Sequence, residues 1–343
     1  MRVYLDHNAT TPLRAEARAA MMAAMDATGN PSSVHAEGRA AKAVVERARA
    51  QIAEAVGAGE ADVVFTSGAT EAAALALAGR GLQAGMIEHD AVHAWVDPVL
   101  PVVAGRVQVD DPARSTVQLA NSETGIVQDL PGGLAVSDIT QGFGRVPFSY
   151  SWSGVEMVFL SAHKLGGPKG VGALIIPRGH NLTAQIKGGG QEMGRRSGTE
   201  NVIGIAGMGA AAAAAQADLA AGRWEQIAQF RNILEEAIEA ADKSTIFVGK
   251  DLPRLPNTSC FVTRGWKGET QVMAMDLAGF AVSAGSACSS GKVKQSRVLR
   301  ALGLDDDAAA SALRVSLGLE TTEDQVLRFV QAWTEKRARL RAA

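Results

Sequence analysis

Between Ala41 and Val56 the apolar residues Ala41, Val44, Val45, Ala48, Ile52, Ala55 and Val56 recur at three- and four-residue steps, with Lys42, Glu46, Arg49 and Glu54 between them. That is the spacing of an amphipathic helix. Asp62-Val63-Val64-Phe65-Thr66 reads instead as a short strand, broken at Ser67-Gly68 and followed by an Ala-rich helix from Thr70 to Ala78. A buried strand is predicted at Val155 to Leu160, then a Gly-rich turn and a second apolar strand from Val171 to Ile176. Such alternation predicts an α/β fold with a mostly parallel sheet.

From about Ala84 to Asp138 the pattern weakens. Short apolar pieces, Val99 to Val103 and Thr116 to Ala120, are joined by Pro and Gly, which places strands but no crossovers. The Ala tract Ala210 to Ala215 predicts packed helix rather than disorder, and a helix from Trp224 to Ala241 leads into shorter strands that include Thr258 to Thr263. Thr322-Glu323-Asp324-Gln325 has the form of a capping box ahead of Val326, Phe329, Val330 and Trp333 at helical spacing. A shift in composition near residue 220 marks the expected domain boundary.

Composition narrows the class. The chain has 343 residues, 47% hydrophobic, which is room for two globular domains. Its 34 basic and 36 acidic side chains leave a net charge of -2, without the basic field that would draw nucleic acid or an anionic membrane, so neither is an expected partner. Cys260 and Cys288, the two cysteines, make neither a disulfide framework nor a metal-ligand spacing; a reducing, cytoplasmic setting and no metal site are expected. The N-terminus lacks the order of a secretory signal, and the weakly polar run from Val202 to Ala215 is too short and too rich in Gly and Ala to span a bilayer.

Several residues stand where chemistry is expected. Lys164, in Ser161-Ala162-His163-Lys164-Leu165-Gly166-Gly167, follows a buried strand, at the strand end where α/β folds expose functional groups. A lysine there suits Schiff-base formation with a carbonyl cofactor such as pyridoxal phosphate, although a surface turn lysine looks the same in sequence. Ser67-Gly68-Ala69-Thr70-Glu71 joins strand to helix, so backbone amides and the Thr70 hydroxyl suit either a phosphate or an ordinary helix cap. Asp138, with Gln141 beyond it, follows a possible strand and suits protonation of a pyridinium nitrogen, or a turn. His89 suits ring stacking or proton transfer, or a polar surface. Cys288 lies in the small-residue run Ser283-Ala284-Gly285-Ser286-Ala287-Cys288-Ser289-Ser290-Gly291, an expected accessible loop, and is a candidate nucleophile; Cys260, in a strand, is expected to be structural. Arg314, among apolar neighbours, suits a bidentate carboxylate contact or an outward-facing surface pair.

Together these motifs resemble the cysteine desulfurases, pyridoxal-phosphate enzymes of the class-V aminotransferase group with the type I fold. The likeness runs in order from Tyr4-Leu5-Asp6 through Gly29-Asn30-Pro31-Ser32-Ser33, Thr66-Ser67-Gly68-Ala69-Thr70-Glu71, Ser161-Ala162-His163-Lys164, Arg196-Ser197-Gly198-Thr199 and Gly285-Ser286-Ala287-Cys288 to Arg314-Val315-Ser316-Leu317-Gly318. The resemblance implies a large cofactor-binding domain over residues 12–220, trimmed around 78–138. It implies a smaller α+β domain from residues 1–11 and 221–343, which carries the cysteine loop at about 283–296. Lys164 would hold pyridoxal 5'-phosphate as a Schiff base. Asp138 would pair with the ring nitrogen, Gln141 would contact the ring oxygen and His89 would stack on the ring. Ala69, Thr70, Ser161 and His163 would line the phosphate site, with Thr199 reaching it from the second subunit of a homodimer. Arg314 would hold the carboxylate of L-cysteine. Cys288 would take its sulfur as a persulfide and leave alanine, for delivery to an iron-sulfur scaffold or sulfur-carrier protein.

Two departures from the family pattern stand out. In Ala120-Asn121-Ser122-Glu123-Thr124-Gly125 the family's second asparagine, expected to touch cofactor and substrate, is Ser122, so Asn121 or a water would have to compensate. The segments from Ala78 to Val117 and from Gln128 to Asp138 are short and the usual crossover helix before Asp138 is missing, so changed loops or sheet edges are expected there. Alternatives are a selenocysteine lyase or another class-V enzyme, and, from another class, a cofactor-binding scaffold that regulates sulfur transfer.

Overall fold

A computed structural model describes residues 2–285 and 295–342. From the N-terminus come β1 (Val3–Tyr4), α1 (Ala15–Met25), α2 (Ala36–Ala55), β2 (Ala61–Thr66), α3 (Ala69–Leu77), β3 (Gln83–Gly85), α4 (Asp90–His93), β4 (Asp97–Leu100), β5 (Val102–Val103) and β6 (Arg106–Val107). Next are β7 (Val136–Asp138), α5 (Tyr150–Ser153), β8 (Met157–Ser161), β9 (Gly172–Pro177), α6 (Val202–Ala220) and α7 (Arg223–Ala241). The chain continues with β10 (Ile246–Phe247), β11 (Thr258–Val262), α8 (Gly268–Leu277), β12 (Phe280–Ala281), β13 (Ser283–Ala284), α9 (Arg297–Ala301), α10 (Asp306–Ala310), β14 (Ala312–Ser316) and α11 (Glu323–Ala342).

The strong periodic segments fold as their patterns predict. α2 turns its expected stripe inward, burying Ala41, Val45, Ala48, Ile52 and Ala55. The expected capping box closes in both directions ahead of α11: Thr322 N donates to Gln325 Oε1 at 3.2 Å, and Gln325 N to Thr322 Oγ1 at 3.3 Å. α6 runs five residues beyond the expected Ala215, to Ala220. An 18-residue stretch of it reaches a mean hydropathy of 1.4, so length and composition do not by themselves exclude a span; 56% of that stretch is buried inside the fold, where α6 packs against α1 and α2.

The first sheet has the order β2-β9-β8-β7. β9 is antiparallel to both neighbours and β7 is parallel to β8. Parallel bridges Thr116↔Val136 and Gln83↔Ser115 then carry the sheet on to β3 and the parallel β4. One strand, β9, therefore runs against the expected parallel direction. The segment expected as a strand at Thr116 to Ala120 is present as bridges and single hydrogen bonds, such as Leu119 N to Asp138 O at 2.8 Å. Helices cover both faces: α1, α2 and α6 pack over one core, and α3 and α4 over the other.

The shortened region solves its crossover with a loop. Residues 120–135 connect two parallel strands with no α-helix between them. Their length meets the dozen or so residues that a parallel connection needs. The loop's backbone pairs instead with the C-terminal half: Val127 N donates to Pro253 O at 2.9 Å and Leu255 N to Gly125 O at 2.8 Å.

A second sheet, β10-β11-β14-β13, is antiparallel throughout and packs with α7, α8 and α11 around Phe261, Phe329 and Trp333. β1 joins this half through parallel pairing with β12. Ser283 and Ala284, expected within an irregular loop, form β13 because they pair with Arg314 and Leu313 of β14. Cys288 lies outside the described residues.

Candidate active site

β8 is buried along its whole length and ends in a single tight turn, Ala162–Lys164, so the lysine emerges at the strand's carboxyl end. Lys164 Nζ donates to Asn8 O at 2.5 Å and Ala9 O at 2.8 Å. Its own carbonyl accepts from Thr11 Oγ1 and Arg145 Nη2, each at 3.0 Å. The lysine is thus held against the N-terminal segment, which passes between the two sheets. Lys164 also borders a cavity of about 520 Å³ shared by Tyr4, His7, Arg14, Arg145 and Trp224.

The turn from β2 into α3 lies two strands away. Gly68 caps α3 without a side chain, which leaves the first-turn amides open. Gly172 of β9 lets this turn approach, because a Cβ there would sit 2.5 Å from the Gly68 carbonyl carbon. Ser161 is buried, and its hydroxyl lies 3.9 Å from where a Gly68 Cβ would stand. Ala69 and Thr70 open α3, with Thr70 exposed. His163 Nδ1 meets Thr10 Oγ1 at 3.2 Å; burial, then Lys164 and Lys169, pull its pKa down to about 4, so the ring is neutral. Thr199 is exposed and lines a cavity of about 110 Å³ with Ser67 of the same chain.

Asp138 ends β7, beside β8, and accepts from Thr140 N at 2.8 Å. Burial raises its pKa, while Thr140, His89 and Lys164 act in the opposite sense. His89 caps α4, its Nδ1 accepting from Ala91 N at 3.1 Å. Gln141 is occupied within the chain, donating to Asn8 O at 2.9 Å and accepting from Arg145 Nη1 at 2.8 Å.

Arg314 is 1% exposed, which excludes the outward-facing alternative. It donates to Asp6 Oδ1 at 2.8 Å and to the Ser122 carbonyl at 3.0 Å. Asn121 shapes its own loop: Nδ2 donates to Ile87 O at 3.0 Å, while Oδ1 accepts from the amides of Glu123 and Thr124 at 3.0 and 2.9 Å. Cys260 is wholly buried, as expected of a structural cysteine, and burial pushes its thiol up to about 12.

Four groups at this site, three of them buried, escaped the sequence reading. Asn8 links Arg145, Thr258, Ser122 and Ser316. Arg145 is a buried cation whose hydrogen bonds reach Asn8, Gln141 and Lys164. Burial raises the Glu88 pKa to about 8 and the Glu123 pKa to about 7. Only Glu123 had a visible signal, its place in the Asn121–Gly125 motif.

The sequence pattern of the class-V aminotransferases matches residues 3–93 and 113–329. Cysteine desulfurase of Cereibacter sphaeroides is 37% identical over 96% of this chain and 94% of its own length. The chain belongs to the class-V aminotransferase family, among its cysteine desulfurases. Another relative of this group, cysteine desulfurase IscS of Dictyoglomus turgidum, is 35% identical over 94% of this chain and 91% of its own. The solved structure of a NifS-like protein from Rickettsia africae superposes with a TM-score of 0.90 at 30% identity, covering 98% of this chain and all of that one. A structure described as SspA in complex with cysteine superposes at 0.76 with 27% identity, over 94% of this desulfurase-family chain and 100% of the other. The family assignment carries the type I fold, and the gap in the matched pattern, 94–112, falls in the shortened region.

Proposed function

We propose that this chain is a pyridoxal-phosphate-dependent cysteine desulfurase, which takes sulfur from L-cysteine, releases L-alanine and carries the sulfur as a persulfide on Cys288. The observation that carries this reading is the placement of Lys164 and Asp138 at the ends of adjacent parallel strands, with the open α3 N-terminus on the same sheet.

The residues fit the cofactor on chemical grounds. Asp138 is a half-buried carboxylate whose pKa is raised by desolvation; among the described residues it lacks a strong cationic partner, which a protonated ring nitrogen would supply. A turn that a Cβ at Gly172 would fill, beside uncapped amides, Thr70 and Ser161, suits a phosphate. When bound, pyridoxal phosphate supplies the electron sink that lets bonds at the amino acid's carbons break.

Lys164 would supply the amine that holds the cofactor and, once released, would move protons at Nζ, which the Asn8 and Ala9 carbonyls orient. His89, whose Nδ1 accepts from Ala91 N, would stack on the cofactor ring in the tautomer that keeps Nδ1 as an acceptor. Arg314, steadied by Asp6 and the Ser122 carbonyl, holds the substrate carboxylate, while Asn121 and Gln141 position the loops around it. Cys288 attacks the substrate sulfur: an S–S bond forms, the C–S bond breaks, and its electron pair stays with the carbon fragment. An iron-sulfur scaffold or sulfur-carrier protein then accepts the persulfide.

The enzyme is read as a cytoplasmic homodimer in which Thr199 completes the partner's phosphate site. Its large domain spans residues 12–220, and its small domain residues 1–11 and 221–343; the pairing of β1 with β12 supports assigning the N-terminus to the small domain.

Alanine and sulfide released from L-cysteine with a thiol reductant test the reading. Equal yields from the wild type, with the cofactor band kept and release lost in Cys288→Ala, uphold it. A wild type that binds cofactor yet stays inert, alone and with scaffold proteins added, overturns it.

A further inference from the structure

The turn that carries His89 is held from two sides. From behind, Gln118 Nε2 donates to Ile87 O at 2.7 Å and Asn121 Nδ2 to the same oxygen at 3.0 Å, while Gln118 N reaches Glu88 Oε1 at 2.8 Å. From the front comes one side chain of the other half of the molecule. Arg297, the first residue of α9, donates Nε to Met86 O at 3.0 Å, Nη2 to Glu88 O at 2.7 Å and Nη1 to Asp90 Oδ1 at 2.9 Å. Three consecutive carbonyls, Met86 to Glu88, are therefore taken by side chains. A fork that spans two carbonyls and a carboxylate is arginine's geometry and beyond lysine's reach.

The start of α9 is itself fixed. Ser296 Oγ accepts from Leu299 N at 3.0 Å as the helix cap and donates to half-buried Glu123 at 2.5 Å, in the loop that also holds Asn121. Arg297 is thus aimed by a capped helix docked on one active-site loop, and it grips the other.

We propose that Arg297 is a positioning residue for His89: by clamping the Met86–Asp90 turn it fixes the orientation and tautomer of the imidazole, and with them the face of the ring site. The carbonyl of Glu88 belongs to the peptide that leads into His89, so its hydrogen bond to Nη2 sets that peptide plane. Releasing the clamp frees the turn to rotate, and a displacement of about 1 Å at a reacting group can cost on the order of 100-fold in rate. This inference rests on the reading of His89 as the residue that faces the cofactor ring.

The test compares wild type with Arg297→Ala, Arg297→Gln and Arg297→Lys as holoenzymes, by kcat and KM for L-cysteine and the cofactor absorption band. The ring-nitrogen NMR signals of His89 in the ligand-free proteins, assigned with His89→Gln, form a second arm. Arg297→Ala is expected to lower kcat about tenfold or more with KM within about twofold. It should shift the absorption band and exchange-broaden the His89 signals, with Arg297→Gln, which keeps a planar donor, recovering part of each. Asp90→Asn keeps an oxygen that can accept from Arg297 Nη1 and removes only the charge of a partly exposed pair, so it should lower kcat less than Arg297→Gln does. A folded Arg297→Ala or Arg297→Gln with lower thermal stability but unchanged kcat, band and His89 signals overturns the proposal. If Arg297→Ala fails to fold, the Gln and Lys variants decide it by the same criteria. Should the wild type release no alanine, the desulfurase reading fails, while the His89 signals still decide whether Arg297 sets that imidazole.

Discussion

The two flanks of the large sheet are built differently. On one flank β2, β9 and β8 pair over continuous runs, six residues between β2 and β9 and four between β8 and β9, with apolar helices over both faces. On the other, from β3 to the loop before β7, strands shrink to bridges, and side chains take over the backbone's hydrogen bonds: Gln118 and Asn121 on Ile87 O, Gln128 on Gly105 O and Val107 N, Arg297 on Met86 and Glu88. A chain that gives up a crossover helix still has to satisfy its buried peptide groups. Here it does so with amides and a guanidinium, and those same side chains place His89 and the Asn121 loop.

The first flank carries Lys164, the proposed cofactor-holding lysine, so Lys164→Ala should give the largest effect: a loss of alanine release of about 1000-fold or more, read as alanine formed per enzyme per unit time, with the fold retained by circular dichroism. The second flank should be the more fragile to loss of a polar group. Asn121→Ala strands the amides of Glu123 and Thr124 and is expected to cost about 2 to 3 kcal/mol in a denaturant titration.

Two desolvated carboxyls, Glu88 and Glu123, give the second flank its own pH dependence. The Glu88 pKa is raised from 4.5 to about 8 and that of Glu123 to about 7, so the stability they favour is complete below about pH 4.5 and is lost as pH rises through those values. His7 and His163, lowered to about 4, act oppositely but have finished by about pH 6.5. Between pH 6.5 and 8 the ligand-free protein should therefore melt lower by a few degrees, and Glu88→Gln should flatten that slope. A slope unchanged in Glu88→Gln would remove this glutamate from the account. The smallest effect belongs to the first flank: Ile175→Val, deleting one methylene from β9, should cost about 1 kcal/mol, less than Asn121→Ala. The reverse order of these two substitutions would break the comparison.

The legibility of each flank follows from its construction. β2, β8, α2, α7 and the α11 cap were visible because hydrophobic periodicity and capping are local, repeated signals. Lys164, Asp138 and the Gly68 turn could be placed for a related reason: each sits at a strand end, where a change of pattern marks the position. Asn8, Arg145, Glu88 and Arg297 carried no such mark. Their partners lie far along the chain, 137 residues between Asn8 and Arg145 and 209 between Glu88 and Arg297. Whether a lone polar residue is buried depends on what folds over it.

The sequence by itself determined the α/β class, the strand-end positions of the lysine and the aspartate, and the family resemblance, since all three rest on ordered local motifs. Only the tertiary structure decided that β9 runs antiparallel, that a loop replaces the crossover helix, and that Arg314 faces inward to Asp6. Strand direction and the partner of a buried charge are set by contacts between distant segments, where burial makes an unsatisfied polar group costly and so selects the arrangement that satisfies it.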